Sequence, residues 1–220
     1  MQFYKMGDDG QIKELPNIYE KYFGQKTDGT FVEVGAYDGY KWSNTWGLME
    51  LGWNGVNAEP HPTNFENLVK NCTPYPNVIC FNIAIGKNKE AKLYLSHAIS
   101  TTSEEQANVY RECKWFAGSE SVIDVPMITL DALLESAEVP IGFEILVVDT
   151  EGTEFEVLES FSINKWLPKM VIVEAHELHP TKGFNRYAEQ INKYFETNGY
   201  DKIYCDIINN IYVDRRINDN

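Results

Sequence analysis

Apolar positions along this chain fall into two alternating patterns: short, nearly continuous runs, and longer stretches with a helical period. Residues 11–23 predict a leading helix, started or interrupted at Pro16, within an N-terminal segment covering 1–29. "FVEVG" (31–35) is the first strand, and a helix follows over about 43–51 with Ser43 or Asn44 as its N-cap. "WNGVNAE" (53–59) is the second strand, ending at Glu59. "PHPTNFENLVKN" opens the next helix with Pro62 at its first position. "VICFNIAIG" (78–86) is a third strand and "EAKLYLS" (90–96) a short extra one. Residues 96–121 are polar and irregular, longer than an ordinary connection, as in a lid or substrate loop. "TLDALLESA" predicts a helix capped by Thr129. "ILVVD" (145–149) is nearly all apolar, as a strand covered on both faces should be. "FEVLESF" is a short helix, "MVIVEA" (170–175) a fifth core strand, and 185–198 a helix closed by Gly199. Two strands around Asn209-Asn210 end the chain as a hairpin.

Strands alternating with helices define an α/β domain whose sheet is mostly parallel and finishes in an antiparallel hairpin. The 220 residues suit one domain spanning 1–220, and 43% hydrophobic residues supply its core. Nineteen Lys and Arg against 33 Asp and Glu leave a net charge of −14. That balance argues against nucleic acid or an anionic membrane as the main partner, since both need a cationic face. The four cysteines have no metal-finger spacing and read as buried, reduced thiols. The N-terminus lacks a signal-peptide pattern, and no run reaches the ~18 apolar residues of a membrane span. The cytoplasm is therefore the expected location, and a homo-oligomer is compatible with the sequence.

The chemistry starts at "EVGAYDG". In an open α/β sheet, ligands bind at the carboxyl ends of the strands, near the point where strand order reverses. Gly35 and Gly39 are separated by Ala36, Tyr37 and Asp38, so this is not the GxGxxG of a dinucleotide fold. A carboxylate here would repel a diphosphate and favour a cationic ligand, and S-adenosylmethionine, a sulfonium with an α-amino group, fits. Glu59, twenty residues beyond Gly39 at the end of the second strand, can accept both ribose hydroxyl protons. The competing reading makes Glu33 and Asp38 turn caps and Glu59 a helix cap.

"FVEVGAYDGYKWSNTWGLMELGWNGVNAEPHPTNFENLVKN", "NIAIG", "VPMITLDALLE", "ILVVDTEGTEFEVLES" and "VIVEAHE", in that order, resemble the FkbM-type methyltransferases from about residue 30 to 177. The SNT triplet and the DTEGTE block are the most specific parts. The resemblance implies a seven-stranded Rossmann-like class I methyltransferase fold. It implies donor contacts from Glu33, Gly35, Ala36 and Asp38, with Ser43 and Asn44 near the methionine end. Glu59 would hold the ribose, while Pro60 with Ile83 and Ala84 would flank the adenine. Asn82 is the alternative adenine partner, and spacing does not choose. Tyr37 and His61 stand where many relatives place other residues and are carried as neighbours.

Methyl transfer from a sulfonium is an in-line displacement, so orientation of donor and acceptor dominates. A hydroxyl acceptor also needs its proton removed or its oxygen polarised. Either His176 takes the proton, oriented by Asp149 or Glu174, or Asp149 and Glu174, with His176, hold Mg²⁺ or another divalent ion. The expected activity is O-methylation of a sugar, glycan or small metabolite. The rivals are a catalytically silent scaffold that keeps the donor pocket and a nucleotide-dependent oxidoreductase, which the missing GxGxxG disfavours. Tyr94, Tyr110, Trp115 and Phe116, in and beside the 96–121 loop, read as packing in preference to an acceptor platform.

Overall fold

The computed structural model describes residues 3–6, 10–116, 121–180, 183–184 and 186–218. Its strands are β1 (Thr30–Val34), β2 (Asn54–Ala58), β3 (Val78–Phe81), β4 (Ala84–Ile85), β5 (Glu90–Leu95), β6 (Ser121–Ile128), β7 (Ile145–Val148), β8 (Met170–Glu174), β9 (Tyr200–Cys205) and β10 (Asn209–Asp214). The helices are α1 (Leu15–Phe23), α2 (Trp46–Glu50), α3 (Pro62–Cys72), α4 (Glu104–Glu112), α5 (Leu130–Ser136), α6 (Glu154–Glu159), α7 (Ile163–Trp166) and α8 (Ala188–Thr197).

Seven strands form one sheet in the order β3-β2-β1-β7-β8-β10-β9. The first five run parallel, and β10 pairs antiparallel with both β8 and β9. The expected seven-stranded Rossmann-like sheet with a closing hairpin is the fold. The side-chain period of two sorts each strand between two cores. Val32, Val34, Leu146, Val148, Val171 and Val173 pack with α5, α6, α7 and α8. Phe31, Ile145, Val147, Met170 and Ile172 pack with α1, α2 and α3 on the other face. Both faces being covered explains why β1, β7 and β8 are buried at every position. The order reverses between β1 and β7, and the carboxyl ends of those two strands carry the site.

Several local expectations shift. Pro16 lies in the first turn of α1, starting that helix. The helix after β1 is only Trp46–Glu50; Ser43 caps from outside it, its Oγ accepting from the amides of Thr45 at 3.1 Å and Trp46 at 3.0 Å. The run 78–86 splits. β3 stays in the main sheet, while β4 joins a second, three-stranded sheet in the order β4-β6-β5. The polar 96–121 stretch contains the helix α4, capped by Ser103, whose Oγ accepts from Gln106 N at 3.1 Å. Asn209 and Asn210 are buried in β10; the hairpin turns at Asp206, whose Oδ1 accepts from the amides of Ile208 and Asn209. All four cysteines are free, but only Cys72 is buried. Among the described residues no helix is long and apolar enough to cross a membrane.

Candidate active site

The turn after β1 is shaped by what cannot be there. Gly35 has φ +85, and a β-carbon on it would lie 1.6 Å from the carbonyl oxygen of Asp149. Only glycine lets the two strand ends close this tightly. Asp38 closes the turn, its Oδ1 accepting from Tyr40 N at 2.9 Å and Lys41 N at 2.7 Å. Tyr37 and Trp42 both adopt left-handed backbone, and their rings stack with centroids 5.8 Å apart.

A cleft of about 790 Å³, counted to its open mouth, lies above this turn. Glu33, Gly35, Ala36, Ser43, Asn44, Glu59, Pro60, Ala84 and Asp149 line it, so nine of the expected residues meet in one cavity. Asp38, Asn82, Ile83, Glu174 and His176 are not among the lining residues. Asn82 instead braces the wall, its Nδ2 donating to the carbonyls of Glu59 at 2.8 Å and Pro60 at 3.2 Å. Ile83 packs against the α5–α8 core.

Glu33 is buried beneath the cleft and accepts from Thr45 Oγ1 at 2.5 Å. Burial pushes its carboxyl up to about 8, an effect the Thr45 hydroxyl partly offsets. Glu59 takes one backbone amide on each oxygen, from Tyr37 at 2.9 Å and His61 at 2.8 Å. Burial carries it to about 7. His61 is the N-cap of α3, its Nδ1 accepting from the amides of Thr63 and Asn64. Lys41 is the one cationic side chain among the described lining residues.

Beyond the cleft floor, the DTEGTE turn and the end of β8 bring acids together. Glu154, at the start of α6, pins the turn: its Oε1 accepts from the amides of Thr150 and Gly152, each at 2.9 Å. Asp149, Glu151 and Glu174 each offer a carboxylate oxygen, all within 4.8 Å of one another. Of the residues expected to hold a divalent ion, Asp149 and Glu174 converge, together with Glu151. His176 Nε2 lies 2.9 Å from Glu174 Oε1, and its buried Nδ1 has no hydrogen-bond partner. Burial first, then the neighbouring carboxylates, hold Glu151 and Glu174 well above the ordinary range. The amides of Ala175 and His176 donate to the carbonyl of Ile208, at 2.8 and 2.9 Å.

The helix α4 covers this group. Tyr110 donates its hydroxyl to Glu151 Oε2. Arg186 Nη2 donates to the Gly152 carbonyl at 3.3 Å and to Ser103 Oγ at 3.2 Å. Tyr110, Trp115 and Phe116 make ring contacts with one another or with Phe184, and Trp115 stays 47% exposed. Residues that the sequence did not single out include Gln11, Lys41, Trp42, Asn64 and Leu93 in the lining and Thr45 beneath it. The hydroxyl of Thr45 was legible within the SNT triplet, whereas Gln11, at the start of the predicted leading helix, carried no signal tying it to the strand ends.

A doubly covered parallel sheet with an acid-lined cleft at its switch point is a Rossmann-like arrangement. The chain belongs to the FkbM methyltransferase family: the methyltransferase FkbM domain matches residues 33–202. No curated protein matches the sequence. Among solved structures, the chain is similar to the precorrin-6y C5,15-methyltransferase of Geobacter metallireducens, at 10% identity and a TM-score of 0.51, covering 95% of this chain and 91% of that one. It is also similar to monomeric WbdD, at 12% identity and a TM-score of 0.50, covering 93% of this chain and 41% of that one. At such identities the likeness speaks for the fold alone.

Proposed function

We propose that the cleft binds S-adenosylmethionine and that the chain transfers its methyl group to a hydroxyl of a sugar, glycan or small metabolite. The observation that carries this reading is the set of carboxylates lining the cleft, Glu33, Glu59, Asp149 and Glu151, against Lys41 as the one cation among the described lining residues. A sulfonium with an ammonium group offsets that charge, and a dinucleotide diphosphate adds to it. Asn44 Oδ1 is buried without a partner and lines the cleft, an acceptor suited to the donor's ammonium. Each oxygen of Glu59 already takes one amide and keeps a lone pair for a ribose hydroxyl. Pro60, Ala84 and Leu93 give the adenine end an apolar wall.

The donor supplies an electrophilic methyl group: the new bond forms to the acceptor oxygen, and the pair of the broken carbon–sulfur bond stays on sulfur. The hydroxyl proton must leave in the same reaction. His176 takes it at Nδ1, the nitrogen left free when Nε2 is held by Glu174.

Calorimetry with S-adenosylhomocysteine tests the donor half, with saturable binding near one per chain expected. Release of S-adenosylhomocysteine on a panel of glycans and hydroxylated metabolites tests the transfer half. Donor binding without turnover on any acceptor would favour the silent scaffold. No binding, together with occupancy by a pyridine nucleotide, would end the methyltransferase reading.

A further inference from the structure

Each of the three clustered carboxylates has one oxygen occupied by a neutral donor. Gln11 Nε2 donates to Asp149 Oδ2 at 3.4 Å, Tyr110 donates to Glu151 Oε2, and His176 Nε2 lies 2.9 Å from Glu174 Oε1. Asp149 and Glu174 also lie within side-chain hydrogen-bonding reach of each other, a contact that needs a proton or a cation between the two carboxylates. Glu174 Oε2 is buried outright with no partner, on a residue 6% exposed. Three carboxylates converging without a cation between them form an arrangement that protein interiors avoid.

We propose that Asp149, Glu151 and Glu174 bind one hard divalent cation, Mg²⁺ or Mn²⁺, through one oxygen of each carboxylate. The donor set is all oxygen, which selects such ions over zinc or copper. Mg²⁺ holds oxygens at about 2.1 Å, so ligand atoms of one ion stand roughly 3 to 4.2 Å apart. The observed spread, within 4.8 Å, needs only a small contraction. Gln11, Tyr110 and His176 then act alike, since each fixes the rotamer of a ligand by holding its other oxygen. Asp149 and Glu151 also line the cleft, so the ion would face the place where donor and acceptor meet. Ion binding stands apart from methyl transfer; only its service in polarising an acceptor oxygen rests on the reading above.

The test is a manganese titration of the metal-stripped full chain, followed by electron paramagnetic resonance of the free ion and by thermal melting. One ion per chain, half-saturating below about 1 mM, is expected, with an upward shift of the melting midpoint. Glu151→Gln should weaken binding at least tenfold, while Asp124→Asn, on an exposed strand position, should bind as wild type. Because the amide relieves repulsion, metal-free Glu151→Gln should melt no lower than wild type. Absence of saturable binding to the wild-type chain overturns the proposal, as does wild-type affinity in Glu151→Gln. Displacement of manganese by saturating S-adenosylhomocysteine overturns it as well, since the carboxylates would then hold the donor's amino group. A chain that binds manganese but no S-adenosylhomocysteine would retain the ion site and lose the donor reading.

Discussion

The place where a β-carbon on Gly35 would stand is 1.6 Å from the carbonyl oxygen of Asp149, so these two residues close the switch point backbone to backbone. The obstructing oxygen is main chain and has no rotamer with which to escape. Gly35 also has φ +85, where a side chain is strained even in open space. Gly35→Ala is expected to destabilise the fold by at least ~3 kcal/mol. A urea midpoint within the error of wild type would contradict this.

Glu59 stands between two strand ends with one amide on each oxygen. Glu59→Gln keeps one accepting oxygen and loses the charge-assisted bonds to ribose. S-adenosylhomocysteine should bind about 10- to 100-fold more weakly, from the roughly 1.5–3 kcal/mol of a hydrogen bond to a charged group. Glu59→Ala should do worse, because two buried amides lose their acceptor. Calorimetry reads both.

His176 is outside the donor cleft yet paired with Glu174. His176→Ala should leave S-adenosylhomocysteine affinity within about twofold of wild type and lower kcat by about 10²–10⁴, the range for general base loss. Normal turnover in this variant would remove His176 from the chemistry.

Glu33 and Glu59 should make the ligand-free protein less stable as pH rises. Their folded-state values, about 8 and about 7, lie above the ordinary 4.5. Above 4.5 the folded chain holds protons that the unfolded chain has released, so unfolding free energy falls with pH until both sites ionise. The stabilising contribution is whole below about 4.5 and gone by about pH 8. Urea midpoints between about pH 5.5 and 8.5 should decline, and Glu33→Gln should flatten the decline. A cationic donor favours the ionised acids, so its affinity should rise across the same window.

The parts of this fold that were legible are those where one physical signal had no competitor. The apolar run of β7 needed no tertiary information to be noticed, and the SNT and DTEGTE turns were noticed through the family resemblance. Where two signals competed, the sequence misled. Pro126 argues against an interior strand, yet it lies within β6. Met127 N donates to Lys89 O, so the position before it faces away from β5, and pairing with β4 begins only at Met127. The missing donor of Pro126 therefore breaks no ladder. Asn209-Asn210 looked like a turn, but the side chain of Asp206 takes the turn amides, and Asn210 is tied to Glu177 and Tyr212 inside the sheet. The helix α4 carried a readable start, Ser103 with Gln106 three residues on, that the surrounding polarity obscured. The carboxylate group was legible one residue at a time. That Glu151 joins Asp149 and Glu174 depends on how the turn after β7 meets the end of β8, which no spacing rule predicts.

The closing hairpin does more than finish a sheet. Asn209 is in register with Glu174, and the Ile208 carbonyl anchors the two amides that follow that acid. The far end of the polypeptide thus serves as a backstop that aims Glu174 through main-chain bonds alone. Mutations or fusions that loosen this backstop will look like faults in chemistry, slow turnover with sound donor affinity, although they lie in a segment outside the cleft lining.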